Sequence, residues 1–439
     1  MSIRQLFLAT LASGAAFGVP AAAWAQAAGG AAQAAPAATP LSLAQALQAA
    51  RDNRDVSIAR RALAAARADI TAADHAPNPV LTGKFSSIDL QNGVGGGNVL
   101  TQKRIDKSIG VDWTWERGNK RQLRTQAAER SAAAAQADVD DTLIQQQLAA
   151  HAAYFDLLAA QERQQQVSQI ERSSAQLAGS AARRVQAGDL AAQDAARTEI
   201  EAQRAASDVQ AAELDRQRAA LALGDLLGMA GAAGLQAQPE WPVLDAREVG
   251  ALADENALVA SRADVRAALQ RLQAAQAAVD VASAQKKADV TLGSSFDHYP
   301  GTSTRLLELR LQIPLQGVFG TYDYQGEVAR ALAQRDQAQD ALDKLRHSAT
   351  IEVQRLRQEI LNTAERARRY SAEILPRARK VADAAELAYN RGALSLTDLI
   401  DARRTLRATL LDDLAARTDY AKAAGAWQLR TQVEPLLSK

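Results

Sequence analysis

The sequence predicts a mainly α-helical protein with a small β part, made of two similar halves in which long antiparallel helices each carry a pair of strands. Three observations predict it. Between Pro79 and Pro239 there is no proline, and from Gly118 to Gly188 only Gly179 interrupts a run of Ala, Gln, Arg, Glu and Leu. Four segments outside these runs change from a period near four to a period of two. A motif also recurs: Gly188, Leu190 and Asp194 match Gly392, Leu394 and Asp398 at one offset of 204 residues.

Composition bounds the possibilities. The 439 residues carry 51 Lys+Arg against 50 Asp+Glu, 47% hydrophobic but only 4% aromatic residues, and no cysteine. A balanced charge argues against nucleic acid as a partner. The missing cysteine excludes a disulfide framework, a thiolate metal site, a catalytic thiol and a lipid-bearing N-terminal Cys. An apolar fraction so rich in alanine favours long, closely packed helices over a large aromatic core.

The N-terminus, residues 1–25, has the form of an export signal. Arg4 supplies the positive charge, Leu6 to Pro20 the apolar stretch, and Ala23-Trp24-Ala25 the small-x-small site before Gln26. Gly14 and Pro20 argue against a retained membrane anchor. Residues 26–40, with Gly29-Gly30-Ala31-Ala32, Pro36 and Pro40, read as a disordered leader. Elsewhere charges interrupt every hydrophobic run short of the ~20 residues a spanning helix needs.

The first repeat is expected over 41–228, a linker over 229–252, the second repeat over 253–430 and a tail over 431–439. A helix filling most of Gly118 to Gly188 would be on the order of 100 Å long. The second half repeats this feature from Gly326 to Arg391, with Pro376 expected to kink or divide it. After Gly392, Leu396, Leu399, Leu406, Leu410 and Leu414 form a coiled-coil-like seam. Each half therefore predicts two long antiparallel helices meeting at a tip, near Gly188 and near Gly392, where a left-handed residue ends the first helix.

Strands are expected at 80–90, 105–115, 290–299 and 305–315. In the second, Ile109, Val111, Trp113 and Trp115 alternate with Ser108, Gly110, Asp112 and Thr114, broken by Lys107. In the fourth, Leu307, Leu309, Leu311, Ile313 and Leu315 alternate with Glu308, Arg310 and Gln312, apart from Leu306 and Pro314 at the ends, and 80–90 and 290–299 are their partners with weaker alternation, the first especially. This apolar-out, polar-in pattern at about ten residues is that of a membrane barrel strand, with Trp113 and Trp115 at one interface. Four strands cannot close a barrel, and an open edge is not tolerated in lipid, so several copies must share one. A dimer would give eight strands and a trimer twelve.

In this order and spacing, several segments give the chain its family likeness. They are Leu41-Ser42-Leu43-Ala44-Gln45-Ala46-Leu47, Pro77-Asn78-Pro79, Glu116-Arg117-Gly118-Asn119-Lys120-Arg121 and the two tip motifs. The chain resembles the TolC-like outer-membrane efflux family across essentially all of its mature length. The Pro-Asn-Pro and Gly-Asn-Lys-Arg segments look most like the CzcC-like branch, which serves heavy-metal pumps of the resistance-nodulation-division type. The resemblance implies a homotrimer sharing a twelve-stranded barrel in outer-membrane lipid, with the helices forming an α-barrel through the periplasm. It implies a periplasmic adaptor and an inner-membrane pump as partners.

The resemblance also assigns sites. Asp398 and Asp401, three apart on one helical face, fall on the family's periplasmic entrance, where three copies would make two carboxylate rings that attract cations. Tyr389 and Asp194 fall on positions that link the inner and outer helix pairs, so that a Tyr hydroxyl-to-carboxylate bond can form there. Leu394 stands where the family has a linking arginine, and Arg391 is the nearby substitute. Gly188, Leu190, Gly392, Leu394 and Ser395 fall at tips that meet the adaptor. The histidines His75, His151, His298 and His347 are scattered without metal-ligand spacing, so no metal site or cofactor is expected. There is no phosphate loop, no Gly-x-Ser-x-Gly elbow and no catalytic histidine arrangement, so a passive duct is favoured over an enzyme. A soluble periplasmic scaffold or adaptor is the alternative, and the strand alternation speaks against it. A type I protein secretion duct would use the same architecture with another partner.

Overall fold

The computed structural model describes residues 40–98, 104–244, 254–300 and 303–431. The expected signal segment, the leader through Thr39, the linker from 245 to 252 and the tail from 432 lie outside these. Nine helices and four strands follow among the described residues. They are α1 (Leu43–Ala50), α2 (Arg54–Ala73), β1 (Val80–Ser86), β2 (Asp106–Trp115), α3 (Lys120–Gln186), α4 (Ala192–Leu226), α5 (Glu255–Ser261), α6 (Ala263–Ala284), β3 (Val290–Tyr299), β4 (Ser303–Gln312), α7 (Gln325–Arg369), α8 (Leu375–Asn390) and α9 (Leu396–Thr431).

Helix α1 begins at a capping box. The Ser42 hydroxyl accepts from Gln45 N–H and the Gln45 side chain accepts from Ser42 N–H. Helix α3 runs unbroken for 67 residues, about 100 Å, because it holds no proline and mostly strong helix formers. Its counterpart is interrupted where Pro376 predicts it. A π-helical turn at Tyr370–Ile374 joins α7 to α8, with Leu375 N–H bonding back to Tyr370 O. That wider turn accommodates the amide hydrogen that proline lacks.

Two buried clusters anchor the helices. One joins α1, α3, α4 and α9 through Tyr154, Phe155, Leu157, Leu158, Leu223 and Ala421; the other joins α5, α6, α7 and α9 around Leu342, Val353, Leu356, Ile360, Tyr420 and Trp427. Tyrosines tie down the segment between the halves: Tyr154 donates to Leu41 O and Gln238 O, both at 3.2 Å, and Tyr420 donates to Val243 O at 2.7 Å. Alanine and glycine allow close approach. A Cβ at Gly425 would overlap the ring of His151, so α3 and α9 touch there almost backbone to ring.

The strands form one antiparallel sheet in the order β1-β2-β3-β4. The third strand has the predicted bounds and the second begins one residue late. The first stops at Ser86, not at 90, because Ser87 turns left-handed (φ 62°) and Asp89 accepts from the N–H groups of Gln91 and Asn92. The fourth lies at 303–312 and not 305–315, because Ser303 already pairs with Tyr299. The segment Glu116 to Arg121 fixes the sheet to the rods. Lys120, buried, bonds Asp289 at 2.8 Å, Arg117 N–H donates to the same carboxylate at 3.0 Å, and Arg124 pairs with Glu116.

Candidate functional site: a two-faced sheet and the hairpin tips

Register sorts the strand residues into two faces. Leu81 lies opposite Val111, Ile109 opposite Phe296, Trp113 opposite Leu292, and Phe296 and Leu292 opposite Leu307 and Leu311. All share one face, and they are exposed: Leu309 is 77% and Trp115 58% accessible. Such an apolar face on a chain in water would be a liability of this size only if nothing covered it. The opposite face carries Thr82, Ser108, Asp112, Ser295, Glu308 and Arg310. On it Arg310 pairs with Asp112 across the intervening strand β3, over Gly293, where a Cβ would overlap the Asp112 carboxylate. Among the described residues β1 and β4 each have one unpaired edge. They run antiparallel to each other, so identical sheets joined β4 to β1 would continue a fully antiparallel barrel.

The two tips are built alike. Gly188 and Gly392 have φ of 82° and 75°. At each, the glycine N–H bonds three residues back (Val185 O, 3.0 Å; Tyr389 O, 2.9 Å) and the next N–H bonds five back (Arg184 O, 2.8 Å; Ala388 O, 2.9 Å). This is the Schellman stop, which needs a left-handed residue and therefore glycine. Leu190 and Leu394 are half-buried just beyond, and Ser395 is exposed. Asp194 and Asp398 are both the third residue of their helices, α4 and α9, where the helix dipole favours a carboxylate.

Beyond the tip, Leu396, Leu399 and Ile400 pack with Leu177, Ala385 and Tyr389. This places Asp398 and Asp401 on the exposed side of α9. The Ser395 hydroxyl donates to Asp398 at 2.6 Å, and Asp401 lies 3.8 Å from Arg404, one turn on. Within the chain the Tyr389 hydroxyl accepts from Arg184 at 2.9 Å, with the guanidinium 5.6 Å from the ring centre, while Asp194 is half-buried in the first turn of α4 and Arg391 is exposed at the end of α8.

Beside the apolar contact at Leu177, α9 is tied to the first hairpin near the tip by a series of arginines that sequence reasoning did not single out. Arg404 pairs with Glu201 and Arg407 with Asp208, both on α4, Arg197 donates to Thr397 at 3.3 Å, and Arg403 reaches Ser173 O on α3 at 3.4 Å. The Arg404 hydrogen bond holds the Glu201 carboxyl below the usual carboxylate range. Beneath these bridges lies a crevice floored by Ile170, Leu177 and Ile400. The signal available in the sequence was Arg403-Arg404 and Arg407 at helical spacing, with partners some 200 residues away. Farther along α9, Arg417 is sandwiched between Glu162, Asp413 and the face of Trp241, whose indole N–H also donates to Glu162 at 3.0 Å.

The histidines stay apart, and among the described residues no three His, Asp or Glu gather in a group able to hold a metal. No described helix is long and apolar enough to cross a membrane.

No protein-family model matches the chain. The cobalt-zinc-cadmium resistance protein CzcC of Cupriavidus metallidurans is 27% identical over 414 residues, which are 92% of this chain and 91% of that protein. Among solved structures, the Campylobacter jejuni outer-membrane channel CmeC superposes with a TM-score of 0.70 at 15% identity, covering 90% of this chain and 87% of that one. The outer membrane protein VceC of Vibrio cholerae gives 0.68 at 17%, covering 89% and 97%. The helical rods and the four-stranded sheet are thus a fold that outer-membrane channels share.

Proposed function

We propose that this chain, a member of the TolC-like outer-membrane channel family, is the exit duct of a tripartite efflux system, passively conducting substrate from a periplasmic pump and adaptor to the outside. One observation carries the reading: a sheet with an exposed apolar face, a polar face crossed by the Asp112–Arg310 pair, and two edges unpaired among the described residues, set on helical rods of which α3 alone is about 100 Å long. Lipid covers the first face, water fills the lumen behind the second, and neighbouring copies pair the edges. Three copies give a twelve-stranded barrel, the copy number of the family. A soluble scaffold leaves the apolar face without an occupant.

The similarity to a cobalt-zinc-cadmium resistance protein favours heavy-metal cations as substrate. Exposed Asp398 and Asp401 supply suitable chemistry, since carboxylates repeated around a three-fold axis concentrate cations at the periplasmic mouth. The Arg404–Glu201 and Arg407–Asp208 bridges, with Arg184–Tyr389, hold the second hairpin against the first and keep that mouth narrow. Exposed bridges of this kind are each weak, so an adaptor engaging the tips at Gly188, Leu190, Gly392, Leu394 and Ser395 can release them without unfolding the helices.

Membrane fractionation followed by native mass spectrometry of the detergent-extracted protein tests the reading. A trimer from the outer membrane is the expected species. A soluble periplasmic monomer or dimer would overturn it.

A further inference from the structure

Charge is sorted between the two faces of the sheet. The lumen face holds Lys84, Asp106, Asp112, Asp297, Glu308 and Arg310, of which four are acidic. On the apolar face the charged residues are Lys107 and Arg305, joined by the titratable His298, and among the described strand residues no carboxylate shares that face. They also share one level. Lys107 lies opposite Phe85 on one side and His298 on the other, and the register shift between the Asp297–Leu306 and Tyr299–Ser303 pairs leaves Arg305 at the level of His298.

That level is the end of the sheet farthest from the rods. From Lys107 to Trp115, where β2 gives way to the junction with α3, is about 27 Å along the strand, or ~20 Å of height at the usual barrel tilt. Between them lie apolar rows such as Ile109–Phe296–Leu307 and Trp113–Leu292–Leu311. The rods extend into the periplasm, so Trp115 marks the inner interface and the basic row the outer one. A lipid-facing lysine is strongly unfavourable at the bilayer midplane and nearly neutral at an interface, which agrees with this placement. Lys107 Nζ is shielded from solvent and has no hydrogen-bond partner among the described residues. An unpaired ammonium is unfavourable in that shielded position, and turned outward on its flexible stem at the lipid-facing rim it can pair with an anion from outside the chain.

We infer that Lys107 and Arg305 bind the phosphate groups of a phosphorylated glycolipid in the outer leaflet, seating the barrel at a fixed depth through charge-assisted hydrogen bonds. The inference rests on the outer-membrane reading above. Bis-phosphorylated lipid A and its dephosphorylated form, each titrated onto the detergent-extracted full-length oligomer and counted by native mass spectrometry, are the probes. Wild type prefers the phosphorylated lipid. Lys107→Gln and Arg305→Gln each weaken its binding about fivefold and the double variant about 25-fold, from the usual worth of one interfacial cation. Lys107→Arg, which keeps the charge, and Lys84→Gln on the lumen face leave binding unchanged. Equal binding of both lipids, or unchanged affinity in either single variant, would overturn the inference. Insertion of the same preparation into phospholipid vesicles without lipid A separates the two failures. Insertion with no phosphate preference sinks the lipid site alone, and no insertion sinks the duct reading with it.

Discussion

The two ends of α9 are held by different forces. From Thr409 to Thr431 it buries twelve residues, among them Leu414, Tyr420, Gly425 and Trp427; from Leu396 to Arg407 it buries only Leu396, Leu399 and Ile400. At the first end, apolar side chains and close backbone approach fix the helix against α3 and α7. At the second, long arginine side chains bridge a crevice to α4. Burial of large side chains stabilises by kilocalories and is insensitive to salt, whereas half-exposed ion pairs are each worth ~0–1 kcal/mol and are screened. In the proposed duct, the same helix is a fixed post at one end and, at the other, a latch weak enough for a partner to release.

Removing a member of the fixed end gives the largest effect. Trp427→Ala is expected to destabilise the protein by about 4 kcal/mol, read as a lowered unfolding midpoint by far-UV circular dichroism. A small loss would mean that the post is not set by burial.

Acid probes the same end next. Burial of His151, on α3 against Gly425 of α9, lowers its pKa from 6.5 to about 4, so the folded state holds it neutral. Its contribution is complete above pH 6.5 and is lost as the pH falls towards 4, because the unfolded chain takes up the proton first, a loss on the order of 3 kcal/mol. His151→Gln should flatten the stability profile in that window. An unchanged slope would place the acid sensitivity elsewhere.

At the tip, Asp398→Ala combined with Asp401→Ala should weaken block by multivalent cations in a planar bilayer about tenfold, with little change in the unfolding midpoint. Unchanged block would remove these residues from the constriction. Loss of the bridges is also small in stability: Glu201→Gln with Asp208→Asn should cost less than about 1–2 kcal/mol in total.

Much of this was legible in the sequence because it depends on local pattern. Alternation located the second and fourth strands and their more weakly alternating partners followed as hairpin mates, while Gly188 and Gly392 marked tips that only a left-handed residue can turn. Pro376 announced a break that took the form of a π-helical turn. The strand ends were less legible: the turn chemistry of Ser87 and Asp89, with the tight Tyr299–Ser303 closure, overrode the hydrophobic pattern. Contacts between distant segments were not legible. Nothing near Gly425 signals the His151 ring, nothing near Gly293 signals a bridge passing over it, and Arg184 was not sought as the partner of Tyr389 because a carboxylate was expected there. In an Ala/Arg-rich helix Arg404 looks like any solvated residue until Glu201 is placed beside it.

Closure of a conducting duct at its tip by charge bridges is tested by single-channel conductance of the purified protein in a planar bilayer, with and without Glu201→Gln and Asp208→Asn. A channel is expected in both, with higher conductance in the variant and only a small shift of the unfolding midpoint. Equal conductance in the two, or no channel in either, would contradict it.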